Sequence, residues 1–202
     1  MPRWQPSPLY RPLPALRNEK VMTTGKEALS IASTEQAHDA AFITLVNSFA
    51  VEEGSFDINR YQRDGATAVI DLAVEFERFG ESSSSENIAK VLGHLSDIQV
   101  RDFALGSHKV DSFENYCSMW HYLLQIAPAG YVAPVACLFA TLAYERGDTA
   151  LAYCALDRAS LDQPAYSLTI LLRRVFGSGW PSAAFAAMRS ELHPQVTAGI
   201  FH

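Results

Sequence analysis

Apolar positions recur at helical spacing in one segment of this chain after another, and glycine, proline or a capping side chain marks each break. Phe42, Leu45, Val46 and Phe49 fall at i, i+3, i+4 and i+7 within a helix expected over residues 26 to 53. Val69, Leu72, Ala73 and Phe76 make the inner side of a helix expected over 60–79, which Gly80 ends before a polar linker of serines. Ser83 with Glu86 has capping-box spacing for a helix over 86–94, and Ser96 or Asp97 opens another that Gly106 closes. Asp111 with Glu114 repeats the capping signal before FENYCSMWHYLLQIA, which carries Phe113, Tyr116, Trp120, Leu123 and Leu124 and stops at Pro128. Further on, YSLTILLRRVF directs Leu168, Leu171, Leu172 and Val175 inward, and PSAAFAAMRSEL starts at a proline and is ended by Pro194. The pattern predicts an all-α chain of about nine helices, with no strand.

Residues 133–164 carry the clearest signal. Pro134 suits a first helical turn, Val135, Leu138, Phe139 and Leu142 form an apolar stripe, and Ala136, Ala140 and Ala143 line the adjoining face. Gly147 stands where a left-handed cap ends that helix, and Asp148 is placed to cap the next, which presents Leu151, Ala152, Ala155, Leu156 and Ala159. With almost no loop between them, the two helices are expected to lie antiparallel. Tyr144, Gly147, Asp148, Ala152, Leu156, Ala159 and Pro164 stand in an order that resembles the turn and second helix of one tetratricopeptide repeat. An echo follows at a spacing of 30, from Pro134, Leu138, Leu142 and Gly147 to Pro164, Leu168, Leu172 and Gly177, which predicts a second helical hairpin. Repeat arrays need three or more neighbours, so the expected architecture is a compact helical domain with repeat-like turns, not a solenoid.

Composition narrows the class. A hydrophobic fraction of 49% with 19% charged residues belongs to a globular protein with a sizeable core. A formal charge of −6 opposes a nucleic-acid surface spread over the whole molecule, without excluding a local patch. The longest apolar run, 131–144, is too short to span a bilayer, so no membrane is expected. Cys117, Cys137 and Cys154 are odd in number and far apart, which argues against a disulfide framework and for a reducing, cytoplasmic location. Residues 1–21 hold half of the ten prolines and a net charge of +3. They read as an extended or disordered leader, as a docking arm with Trp4 and Tyr10 as anchors, or as a stretch preceding a start at Met22. Residues 22–202 are expected to form one helical domain, with N-terminal helices over 22–110 and helical hairpins over 111–202.

Chemistry is sparse. Cys117 and His121 share a helical face, but two further ligands are missing, so no metal and no cofactor is expected. GSG at 177–179 lacks the lysine–hydroxyl pair of a phosphate loop, and no Ser/His/Asp arrangement has recognisable context. Asp97 and Arg101 are spaced to pair along a helix, and Asp102 could meet Asp157 and Arg158 of the hairpin in an ion pair or polar site.

Asp97, Val100, Arg101, Asp102, Ala133, Pro134, Gly147, Asp148 and Ala152 carry a second resemblance, continued by Ala155, Leu156, Asp157, Arg158, Ala159, Asp162, Pro164, Tyr166 and Ser167. Over residues 86–187 the chain resembles the C-terminal half of an actinobacterial family, domain of unknown function 4192. The resemblance implies a tryptophan in many members at the place of Tyr144, and an N-terminal half, of α/β type, that this chain is expected to lack. It implies no activity.

The leading functional expectation is therefore a non-catalytic interaction, scaffold or adaptor module for an unknown protein or peptide, with self-association as a further option. The alternative is a nucleic-acid-associated regulator using the basic leader, the helix over 100–109 or the helix bearing Arg173 and Arg174. An enzyme with a site built from scattered polar residues has no motif behind it.

Overall fold

The structure, a computed structural model, describes residues 39–51 and 57–201. Among these residues there are nine helices and no strand: α1 (Ala40–Ser48), α2 (Ile58–Phe79), α3 (Ser85–His94), α4 (Ile98–Gly106), α5 (Phe113–Ile126), α6 (Val132–Glu145), α7 (Thr149–Asp162), α8 (Ser167–Gly177) and α9 (Ser182–Phe201). The all-α expectation holds. Trp4 and Tyr10 lie outside the described residues, as does most of the N-terminal part of the helix expected over 26–53.

The expected hairpin is the centre of the molecule. Gly147 takes φ +88° at the end of α6, a conformation that a Cβ disfavours, and Asp148 Oδ1 accepts from the Leu151 N–H at the start of α7. The opposite end is also closed. Asp162, the last residue of α7, accepts from the Gly130 N–H at 2.7 Å and from the Ala133 N–H at 3.0 Å, so its carboxylate sits at the N-terminus of α6. Gln163 Nε2 donates to the Gly130 carbonyl beside it. Pro134 is the third residue of α6, within its first turn as expected.

Sequence periodicity assigns α6 one apolar stripe; the structure buries every residue from Val132 to Tyr144. Helix α6 packs against α4, α5, α7, α8 and α9, and alanines on the faces between the large side chains let these neighbours approach. The leucines of the 30-residue echo do correspond, since Leu138, Leu142, Leu168 and Leu172 are all buried. The glycines do not: the left-handed residue after α8 is Gly179, at φ +70°, not Gly177. Helix α9 packs on α4, α2 and α6, so α8 and α9 do not form the expected second hairpin.

Several boundaries move. The cap of α3 is Ser84, one residue beyond Ser83, with its hydroxyl accepting from the Asn87 N–H. Ser112, not Asp111, precedes α5, and its hydroxyl accepts from the Lys109 N–H in the preceding loop. In α8 Leu171 points outward, while Thr169 is buried with its hydroxyl 3.2 Å from Cys137 Sγ. Pro194 does not end α9. The helix continues through it to Phe201, because Ile200, against Ala66 and Phe103, secures the far side of the lost backbone bond.

Helix α1 rests on α3 through Val46, Phe49 and Gly93. A Cβ on Gly93 would lie 2.6 Å from the Val46 carbonyl oxygen and 2.8 Å from the Phe49 carbonyl carbon. Backbone cannot rotate away as a side chain can, so Gly93→Ala is expected to destabilise the protein by about 1–3 kcal/mol despite the better helix propensity of alanine. Urea denaturation checks the size, and faster amide exchange confined to residues 40–48 checks the cause.

Candidate functional site

The most concentrated polar chemistry lies where α6, α9 and the loop after α4 meet. Glu145 ends α6 with its side chain 5% exposed, Arg189 of α9 is 9% exposed, and His108 of the loop 2%. Arg189 Nε donates to Glu145 Oε1 at 2.6 Å, and its Nη2 to Oε2 at 3.3 Å. His108 Nε2 lies 3.0 Å from the same Oε2. The remaining guanidinium nitrogen donates to the carbonyls of Gly106, at 3.1 Å, and His108, at 3.4 Å. A buried guanidinium is held by this full set of acceptors; any single hydrogen bond would leave it undersolvated.

Burial by itself would raise the Glu145 carboxyl, but the hydrogen bonds from His108 and Arg189 outweigh it and hold the group below its ordinary value. His108 is lowered by burial, with the positive Arg189 adding to that and the bond to Glu145 opposing it. His193, one turn beyond Arg189, is lowered by burial and then by Arg189, His108 and Lys109. Its ring lies over Gly106, and its Nδ1 is buried with no hydrogen-bond partner among the described residues. His94, stacked on Tyr61 at 4.4 Å, is also lowered by burial. These histidines are favoured neutral in the fold. Below about pH 6.5 the unfolded chain therefore binds protons that the folded chain refuses, and stability falls as pH falls through that point. Glu145 acts lower down: its contribution persists until the carboxylate range and is then lost as pH falls further. Thermal unfolding between pH 8 and 5 is expected to show the first decline, and His108→Gln together with His193→Gln to flatten it.

The residues singled out in the sequence take other places. Asp97 is the N-cap of α4, accepting from the Gln99 N–H at 2.8 Å and the Val100 N–H at 3.0 Å, with Gln62 of α2 donating to both its oxygens. A capping carboxylate is turned back to the first helical turn, so Asp97 does not pair with Arg101 as the spacing suggested. Arg101 is buried and binds its neighbour Asp102 through Nε at 2.9 Å and Nη2 at 2.7 Å. Its guanidinium sits 5.7 Å from the Tyr166 ring centroid. Burial would lower Arg101, but hydrogen bonds to Tyr166 and Asp102 more than compensate. Asp157 meets Arg173 of α8 at 2.5 Å, not the segment over 97–102. Arg158 is partly buried, and burial lowers it from its ordinary value, which the charge of Asp162 one turn on offsets only in part.

The histidine of the Cys117–His121 pair stacks on Phe139 at 5.3 Å. Among the described residues no group of three or more His, Cys, Asp or Glu is placed to hold a metal ion, and no helix is long and apolar enough to cross a membrane. All three cysteines are free, and burial pushes the Cys137 thiol up to about 12. Tyr144 stacks on Phe176 at 3.9 Å and donates its hydroxyl to the Trp180 carbonyl. The helix offered for reading nucleic acid, α4, has Val100, Arg101, Phe103, Ala104 and Gly106 buried.

These features define an all-α domain whose distinctive residues (Gly147, Asp148, Asp162 and Tyr166) close its central hairpin and support its neighbours. The model of the family described as Domain of unknown function (DUF4192) matches residues 16–183, and the chain belongs to that family. The match begins well before residue 86 and takes in α1 and α2, which the sequence resemblance did not reach. No curated protein and no solved structure matches the chain.

Proposed function

We propose that this domain is a non-catalytic protein–protein interaction module, a scaffold or adaptor of the cytoplasm. The observation that supports this reading is the exterior of α7 and α8, where Leu161 is 85%, Leu171 55% and Ile170 42% exposed. Arg173 Nη2 lies 3.5 Å from Ser160 Oγ, which sets the last turn of α7 beside α8. Burying a Leu or Ile completely is worth about 1.5–3 kcal/mol, and a partner here would recover the share of that which each side chain still exposes, most of it at Leu161. Arg174, exposed one turn from Ile170, adds positive charge to the same helix face. An amphipathic helix with an apolar stripe and an acidic flank suits that combination.

The test is a Leu161→Ser, Leu171→Asp double variant compared with the wild-type chain after cross-linking in the source cell. Both positions are exposed, so the variant is expected to keep its melting temperature and to lose a partner that the wild-type chain retains. Identical sets of cross-linked proteins in the two samples would overturn the reading.

A further inference from the structure

Helix α9 is held in two halves that meet at Pro194. The first half is fixed by Phe185, in a ring cluster with Tyr144 and Phe176 at 5.9 and 5.7 Å, and by Arg189 on Glu145. Pro194 has no N–H to give the preceding turn, so the helix is weakest there and the second half can swing without pulling on the first. That second half is held by Val196 and Ile200 on Ala66 and Phe103, and by the ring of His193. The ring centroid lies 5.2 Å from that of Phe103. Its edge rests against Gly106, where a Cβ would stand 2.3 Å from Nδ1, so only glycine admits the ring there. The hydroxyl of Thr197 donates to the His193 carbonyl at 2.9 Å, which leaves its oxygen to accept from Nε2, 3.4 Å away. The neutral ring therefore carries its proton on Nε2 and leaves Nδ1 bare, and acid adds the second proton at Nδ1. That proton meets no acceptor, because Nδ1 is buried with no hydrogen-bond partner among the described residues.

The charges that face the ring are positive: Arg189 from its own helix, and Lys109 with the titratable His108 from the loop after α4. Glu145 of α6 spends its two oxygens on Arg189 and His108. From α2 and α4 the helix meets Ala66, Phe103 and Gly106, which carry no charge. We propose that His193 is an acid-operated catch: protonation at Nδ1 expels the ring from its seat on Gly106, and the segment 193–201 swings out about Pro194, baring Ala66 and Phe103. His108 is not the trigger, since it faces a carboxylate that offsets part of the effect of its burial. Opening takes up one proton, so the open fraction rises about tenfold for each pH unit below the ordinary histidine value of about 6.5. This inference does not rest on the outer face of α7 and α8.

Amide exchange on the full chain at pH 7.5 and 5.5, corrected for the intrinsic exchange rate at each pH, tests it. Residues 195–201 are expected to be less protected than α6 at both pH values, and their protection to fall about tenfold between the two. His193→Gln is expected to make the protection of 195–201 independent of pH, and His108→Gln to leave the tenfold fall in place. Protection of 195–201 that stays level over this range, that equals the protection of α6 at each pH, or that still falls in His193→Gln overturns the proposal. Should the variant misfold, the imidazole signals of the wild-type protein decide. His193 is expected as the Nε2–H tautomer at pH 7.5, gaining its second proton in step with the loss of protection. A ring that takes up that proton while 195–201 stay protected overturns the proposal as well.

Discussion

Glu145→Ala is expected to destabilise the protein by about 3–5 kcal/mol. The substitution removes both carboxylate oxygens that face Arg189 and leaves a guanidinium 9% exposed with only the Gly106 and His108 carbonyls as acceptors. His108 loses its partner in the same step. The cost is that of an uncompensated buried charge, which exceeds the net worth of the pair. Replacing both groups, Glu145→Leu with Arg189→Met, is therefore expected to recover most of the loss. Urea denaturation of Glu145→Leu, Arg189→Met and the double variant forms a cycle with a large coupling energy. Equal losses in Glu145→Ala and the double variant would show that the network does not act as a unit.

Leu138→Ala is the second large effect, at about 2–5 kcal/mol. Leu138 sits midway along α6, 2% exposed, in a helix that five others surround, so no one neighbour can close in on the cavity without leaving another. The comparison is Leu171→Ala in α8, a residue of the same type at helical spacing that is 55% exposed, where a change within about 0.5 kcal/mol is expected. Thermal denaturation of the two variants distinguishes a surrounded helix from a one-sided one.

The hairpin was legible because its signals are local. Gly147, Asp148 and Pro164 state where each helix stops and starts within a few residues of the place concerned. Cap positions off by one residue, Ser84 for Ser83 and Ser112 for Asp111, arise where two adjacent residues are of capping type and only the loop geometry chooses; at Ser112 the hydroxyl turns back to the Lys109 N–H and makes no bond to the helix. What stayed hidden depends on distance along the chain. Glu145 reads as an ordinary charged helix end, and Arg189 as a solvated residue among alanines; they are 44 residues apart and meet only after folding. The far half of α9 was hidden for a related reason. Its inner stripe contains Arg189 and His193, and Pro194 interrupts it, so apolar periodicity gives no sign that Ile200 reaches the small cluster at Ala66 and Phe103. Leu171 and Thr169 were exchanged because a threonine hydroxyl satisfied by Cys137 is as comfortable inside as a leucine.

The Asp162 clasp bears on how the molecule assembles. It joins the two ends of the stretch that contains α6 and α7, so the helix on which five others settle is completed by residues close to it in sequence. Closing so short a loop costs little chain entropy compared with bringing α9 onto α2. The docking surface for the remaining helices thus needs only a local hairpin to form, and refolding is expected to protect the amides of α6 and α7 before those of α1 and α9, which pulsed amide exchange checks.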